Sequence, residues 1–127
     1  MRTKTVALET QLSLREAGHL VTVAFATMKA RVEAIEATSD LLDRLDGVAD
    51  IAVVGRRSMV MNVWAVQVYL YELGTSCGVE LVASGETGLV WALRGARTTA
   101  SFTKSVRKMD SLVTALRARD PRARFIS

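Results

Sequence analysis

The sequence predicts a single domain of the α+β class. Its 127 residues are enough for one hydrophobic core and too few for two ordinary domains. Half of the residues are hydrophobic and 24% are charged, a composition typical of globular proteins. In several stretches the residues alternate with the period of two that is typical of strands. In others the apolar residues recur every three or four positions, as in helices. The two patterns together predict strands and helices packed in one domain.

A β-hairpin is predicted at the centre of the domain, within residues 46–66. Residues 51–54 and 59–66 both have the period of a strand, and the run GRRS at residues 55–58 separates them. Two such runs joined by a short glycine-containing turn are typical of a hairpin. Both faces of these strands are largely apolar, so we expect helices or a partner subunit to cover the hairpin on each side.

The segment before the hairpin predicts a strand, a turn, a second strand and a helix. Residues 5–14 alternate and form a short strand or an extended arm, and residues 15–18 form a turn. Residues 19–25 read as a buried strand. A helix is predicted from residue 27 to residue 45, with Thr27 as its N-cap. Its buried stripe has spacings of three, seven and three and consists of Val32, Ile35, Leu42 and Leu45.

The segment after the hairpin is less regular. Residues 67–75 fit either a continued strand or a helix, and residues 79–93 contain a hairpin-like pattern. The threonine-rich residues 96–104 predict an edge strand. Residues 105–119 have apolar positions at helical spacing and predict a last helix.

This order of elements predicts a ferredoxin-like βαββαβ sandwich. Residues 1–14 would add an N-terminal arm, and residues 105–127 a basic C-terminal helix and tail. Two helices cover only one face of such a sheet. An uncovered apolar face usually pairs with another subunit, so we expect a homodimer or a higher homo-oligomer.

Positive charge is concentrated at the end of the chain. The net charge is +4, but residues 94–127 alone carry +7, with nine cations and two aspartates. A basic end suits an anionic partner such as DNA, and a solvated helix is the alternative. Contacts to phosphates would not read the base sequence. The candidate nucleic-acid contacts are Lys104, Arg107, Lys108, Arg117, Arg119, Arg122 and Arg124.

Motifs for catalysis or cofactor binding are missing from the sequence. The one histidine, His19, and the one cysteine, Cys77, cannot form a metal-ligand set or an internal disulfide. The glycines do not have the spacing of a phosphate-binding loop. No apolar run reaches the roughly 18 residues that a membrane span needs. We therefore predict a cytoplasmic protein that is not an enzyme, has no metal or cofactor and does not enter a membrane.

Three runs between residues 19 and 65 resemble the C-terminal effector-binding domain of the leucine-responsive regulator (Lrp/AsnC) family: HLVTVAF, LLDRLDGV and ADIAVVGRRSMVMNVWA. The run RTTASFTKSVRKM, at residues 97–109, is similar to the closing strand of that domain. The resemblance implies a ferredoxin-like module that dimerises through its sheet and often assembles further. It also implies a small effector, commonly an amino acid, near the hairpin turn, and a separate helix-turn-helix domain that binds DNA.

Carried onto this chain, the resemblance places the effector site at the predicted turn. Ser58 stands where family members usually have aspartate, and the two arginines beside it suit a carboxylate or another anion. Two solvated arginines at a hairpin tip are the alternative. The candidate ligand-binding residues are Gly55, Arg56, Arg57, Ser58 and Asn62.

Three functional hypotheses follow from the sequence. The first is a non-enzymatic effector-binding and oligomerisation domain of a transcription regulator. Because no helix-turn-helix pattern precedes residue 19, DNA would bind through the basic tail or through a domain missing from this chain. The second is a small dimeric α+β-barrel enzyme, whose cleft would be lined by His19, Asn62, Trp64, Tyr69 and Tyr71. The third is a protein-interaction module that uses an uncovered sheet face.

Overall fold

A computed structural model describes residues 3–35, 49–59, 62–84 and 98–126 of the chain. Within these ranges it contains a six-stranded antiparallel sheet and two helices, which confirms the α+β class. The elements in chain order are β1 (Thr3–Thr10), α1 (Leu14–Thr27), β2 (Arg31–Ala34), β3 (Ile51–Met59), β4 (Asn62–Glu72), β5 (Cys77–Ser84), α2 (Thr98–Arg119) and β6 (Arg124–Phe125). Neither helix is long and apolar enough to cross a membrane.

The strand order of the sheet is β2-β3-β4-β5-β1-β6. Strands β2 to β5 follow one another as neighbours, and β1 is added beside β5, with which it pairs over its whole length. This order does not confirm the ferredoxin-like sandwich, in which the strands of a split βαβ unit are interleaved. The strand alternative for residues 5–14 is confirmed for residues 5–10, since β1 lies inside the sheet between β5 and β6, but β1 ends at Thr10 and Leu14 already belongs to α1.

Helix α1 replaces the turn and the buried strand that were predicted for residues 15–25, so both predictions are wrong. Ser13 caps the helix: its side chain accepts from the Glu16 N–H, and the Glu16 carboxylate accepts from the Ser13 N–H, both at 3.1 Å. This reciprocal pair is a capping box. Ala17, Val21 and Phe25 follow at steps of four residues and are buried against the sheet.

Strand β2 lies where the predicted helix of residues 27–45 should continue, so that prediction is wrong at residues 31–34. Thr27 ends α1 instead of starting a helix. Lys29 follows with a φ of 58°, and the N–H groups of Lys29 and Ala30 donate to the carbonyls of Ala26 and Phe25. This is a Schellman motif, which terminates a helix. The remainder of the predicted helix, from residue 36 on, lies outside the described residues.

The central hairpin is confirmed, but its turn is not at residues 55–58. Strand β3 continues to Met59 and β4 begins at Asn62, with Gly55 paired to Val66 in the middle of the ladder. Gly55 serves close packing, because a Cβ atom there would lie 2.3 Å from Cε1 of the Phe25 ring. The glycine that predicted a turn therefore marks the point where α1 presses on the sheet.

Helix α2 begins at Thr98, so the edge strand predicted for residues 96–104 is wrong from that residue on. The helix predicted for residues 105–119 is confirmed. Ser105 fixes α2 on the sheet: its hydroxyl accepts from the Ala65 N–H at 3.0 Å and donates to the Ser84 carbonyl at 2.8 Å. The strand alternative for residues 67–75 is confirmed as far as Glu72, and the predicted pattern beyond residue 84 falls outside the described ranges.

The central strands of the sheet are buried on both faces. The helix side contains the main core, which includes Trp64, Val66 and Val68 of β4. Tyr69 and Tyr71 alternate with them and are 3% and 4% exposed on the opposite face. That face was predicted to stay uncovered, but its side chains are already buried within one chain.

Candidate functional site: a groove between the two helices

Helices α1 and α2 lie side by side, and a groove of about 830 Å³ separates their outer flanks. Small-molecule sites in proteins are usually clefts of about 300–1,000 Å³ with an apolar lining and a few polar groups. Apolar side chains form most of the floor of this groove: Leu20, Val23, Ala24 and Met28 from α1 and its C-cap, and Ala115 from α2. The polar lining consists of Arg15, Glu16, His19, Thr27, Ser111 and Arg119.

Helical spacing places these residues beside the core stripe of each helix. On α2 the lining positions recur every four residues, at Ser111, Ala115 and Arg119. On α1 the apolar stripe is wider than the core needs, so Val23 remains 49% exposed. An exposed valine in the floor of a concave surface is the kind of apolar area that a ligand can cover.

One end of the groove is charged. Arg119 Nη2, in the last turn of α2, lies 3.8 Å from Glu16 Oε2 in the first turn of α1, and both side chains are exposed. Hydrogen bonds from the backbone and side chain of Ser13 are the main cause that lowers the pKa of Glu16, so this carboxylate stays ionised. Arg15 and His19 line the same end. Two guanidinium groups therefore face one carboxylate there.

The flank of α2 stays basic beyond the groove. Lys104 and Lys108 continue the row of Ser111, Ala115 and Arg119 at helical spacing. The Lys108 ammonium lies 5.6 Å from the centroid of the Trp64 ring, a cation–π contact at the opposite end of the row from Arg119. The electrostatic potential along this flank is therefore positive.

The predicted effector-site residues lie on the β3–β4 hairpin as strand residues and not in a turn. They lie on β3 and at the start of β4, where Gly55 is buried and the side chains of Arg56 and Arg57 alternate between the two faces of the sheet. Arg56 Nη2 contacts Glu33 Oε1 at 2.6 Å. Ser58 and Asn62 occupy strand positions that pair with Val63 and Met59.

The predicted nucleic-acid contacts do not share one face, and several of them have local partners. The Arg117 guanidinium carbon lies over the ring of Phe125, 5.6 Å from the ring centroid. Arg124 Nη2 contacts Glu9 Oε1 at 2.9 Å, and Arg119 and Lys108 make the contacts given above. Arg107 is exposed on α2, and Arg122 is exposed in the turn that follows it.

The residues that a catalytic cleft would have needed are also dispersed. His19 lies in the groove, Trp64 is buried on the helix side of the sheet, and Tyr69 and Tyr71 are buried on the other side. Burial and the nearby Glu80 raise the pKa of Tyr71, so its hydroxyl stays protonated. The described residues contain no group of three side chains suited to hold a metal ion.

Most of the groove was missed by sequence reasoning because α1 was not recognised. The signal that could have revealed it is Ser13 followed three residues later by Glu16, the sequence of a capping box. Leu20, Val23 and Thr27 then recur at steps of three and four. Of the residues in the lining, only His19 and Arg119 are among the functional candidates of the sequence, each for a different role.

The described residues thus define the class of this protein: a small α+β domain in which they form a sheet, two helices on one face of it and an amphipathic groove between the outer flanks of the helices. No protein-family model matches the chain, and no curated protein matches it.

Proposed function

We propose that this chain is a non-catalytic ligand-binding domain that takes up a small molecule in the groove between α1 and α2. The observation that carries this proposal is the groove itself, about 830 Å³ in volume, with an apolar floor and a charged end. Apolar area supplies most of the binding free energy in such sites, and a few polar groups orient the ligand.

The two walls of the groove are held in place before any ligand arrives. The capping box at Ser13 and the Schellman motif at Lys29 define both ends of α1. Ser105, Met109 and Leu112 anchor α2 on the sheet. A preformed site binds more tightly than a flexible one, because less conformational entropy is lost on association.

The regulatory part of the proposal comes from the resemblance to the Lrp/AsnC family. In this interpretation the chain is the effector-binding and oligomerisation domain of a cytoplasmic transcription regulator, and its effector is a small molecule such as an amino acid. The ferredoxin-like plan, the homodimer or higher homo-oligomer and DNA binding belong to the same proposal. Its effector site differs from the one that the resemblance implies, since the groove takes the place of residues 55–58.

A screen of small molecules by thermal shift, followed by calorimetry, tests the proposal. We expect at least one amino acid or small carboxylate to raise the melting temperature, because a ligand that binds only the folded state stabilises it. Ala115→Trp fills the groove from α2 and should abolish the shift. Val23→Gln removes apolar floor at an exposed position and should weaken it.

Thr114→Trp is the matched control, since it places the same large side chain on an exposed position of α2 outside the groove lining. It should leave ligand binding unchanged. Binding that survives Ala115→Trp, or the failure of every compound to raise the melting temperature, would refute a ligand site in the groove.

A further inference from the structure

We infer that the ligand of the groove is a small amphipathic carboxylate. Its carboxylate would lie among Arg15, His19 and Arg119, and its apolar chain would run along the floor towards Met28. This assignment rests on the proposed function, because it names the chemical class that the same groove takes up. It is carried by the charge at one end of the groove together with the apolar area beyond it.

The charged end selects the sign and the size of the ligand's charge. Arg15 and Arg119 carry two positive charges against the one negative charge of Glu16, so these three side chains give the end a net charge of +1. A monoanion balances this charge. A dianion such as a phosphate monoester would leave excess negative charge beside Glu16, and a ligand whose only charge is an ammonium group would be repelled by both guanidinium groups.

Arg119 can bind a ligand with little loss of folding stability. The Arg119–Glu16 pair is exposed, with relative side-chain exposures of 65% and 51% and a separation of 3.8 Å, so it contributes little to stability. Arg119 can therefore turn to a bound carboxylate without loss of a strong contact. The N-terminal pole of α1 and the C-terminal pole of α2 meet at this end and largely offset each other, so the guanidinium groups are the main source of attraction.

The apolar part of the groove favours a ligand that has an apolar hydrocarbon chain. The lining extends over residues 15–28 of α1 and its cap, roughly 20 Å at the rise of an α-helix. Beyond the charged end it presents Leu20, Val23, Ala24 and, from α2, Ala115. This length exceeds what a bare amino acid or acetate would cover. Each methylene that is buried on the floor should tighten binding, by up to about fourfold.

Calorimetry of the full chain with an octyl series tests the head group. Octanoate, 1-octanol and octylamine share one chain and differ in charge at neutral pH. We expect octanoate to bind at least about tenfold more tightly than 1-octanol, since charge-assisted hydrogen bonds hold its head, and octylamine not to bind measurably. From hexanoate to decanoate the dissociation constant should fall with each added methylene.

Two charge-matched variants locate the head group. Arg119→Gln should weaken octanoate about tenfold and leave 1-octanol unchanged, because only the carboxylate uses the guanidinium group. Lys4→Gln removes one positive charge from an exposed residue of β1 outside the groove lining and should change neither affinity. Both positions are exposed, so both variants should retain the circular dichroism spectrum of the natural chain.

The outcomes separate this inference from the function on which it rests. Equal affinities for octanoate and 1-octanol, both abolished by Ala115→Trp, would overturn the carboxylate assignment and leave a ligand site in the groove. The carboxylate assignment would also be overturned, and the ligand site kept, if a different small molecule bound in the groove and octanoate did not. If no compound of either screen binds, the ligand-binding function and the ligand class both fail.

Discussion

Gly55 is the residue on which the packing of α1 against the sheet depends most directly. The Phe25 ring lies over its Cα atom, is fully buried and stacks on Trp64 with 6.4 Å between ring centroids. Any side chain at position 55 would occupy space that the ring already fills. The sequence could not reveal this requirement, because Phe25 and Gly55 are brought together only by the fold.

Gly55→Ala should therefore destabilise the protein, by about 1–3 kcal/mol, since overpacking forces the ring or the strand to move. Gly18→Ala is the control. A Cβ atom at residue 18 would make only an ordinary contact of 3.6 Å with Ile51 Cδ1, and alanine is the better helix former by up to about 1 kcal/mol. Urea denaturation of the three proteins measures both effects. A Gly55→Ala protein as stable as the natural chain would contradict the close contact with Phe25.

Burial makes the thiol of Cys77 a poor nucleophile. Its side chain is fully buried at the start of β5, and burial is the main cause that raises the pKa of its thiol to about 11. The thiolate is the nucleophilic form of cysteine. At neutral pH this thiol therefore remains protonated and is a core residue.

At the scale of elements, Asp120 ties the end of α2 to the end of β1. Its carboxylate is buried and accepts from the Thr10 hydroxyl at 2.6 Å, from the Gln11 N–H at 2.8 Å and from the Arg122 N–H at 3.1 Å. The hydrogen bond from Thr10 is the largest of the causes that lower the pKa of Asp120 below its usual 3.8. Strand β6 then pairs with β1 directly beyond this junction.

A lowered pKa in the folded state means that the ionised Asp120 stabilises the protein. This stabilisation is fully present above pH 3.8 and is lost as the pH falls through the lower folded-state pKa. Asp120→Asn should lower the free energy of unfolding at pH 7 and reduce its further fall under acid conditions. Denaturation curves between pH 7 and pH 2 measure this difference. A variant whose stability has the same pH dependence as the natural chain would contradict the role of Asp120.

Some elements could be predicted from the sequence because their pattern matches their surroundings. Strands β3 and β4 alternate between two buried faces, and the last turns of α2 keep a regular core stripe. Helix α1 could not be recognised from periodicity alone, because Val21, Val23 and Phe25 alternate as in a strand. Val23 lies outside the core stripe of Ala17, Val21 and Phe25, since it faces the groove and not the core. Val23, which made the helix hard to recognise from the sequence, is thus part of the candidate site.

The site was harder to predict than the fold. The walls of the groove come from segments at opposite ends of the chain, about residues 15–28 and 111–119, and only the sheet brings them side by side. The resemblance directed attention to residues 55–58, whose polar character suggested a turn. In the structure this polar run is strand, because Arg56 pairs with Glu33 on β2 and Gly55 fits beneath Phe25.

At the scale of the whole molecule, the groove lies on the outer side of the helix layer. The core beneath the helices and the opposite face of the central strands are both buried. A ligand can therefore reach the groove without opening the core, and its binding should add stability without a change of fold. The basic flank of α2 would also attract an anionic ligand during approach, an effect that salt weakens.

The most direct test of the ligand site is a titration of the isotopically labelled protein with octanoate, followed by two-dimensional amide NMR. We expect the amide signals of Leu20, Val23, Ala24 and Ala115 to shift in proportion to occupancy, while that of Tyr69 on the opposite sheet face does not shift. Shifts concentrated at residues 55–58, or no shifts at ligand concentrations that saturate calorimetry, would contradict a site between α1 and α2.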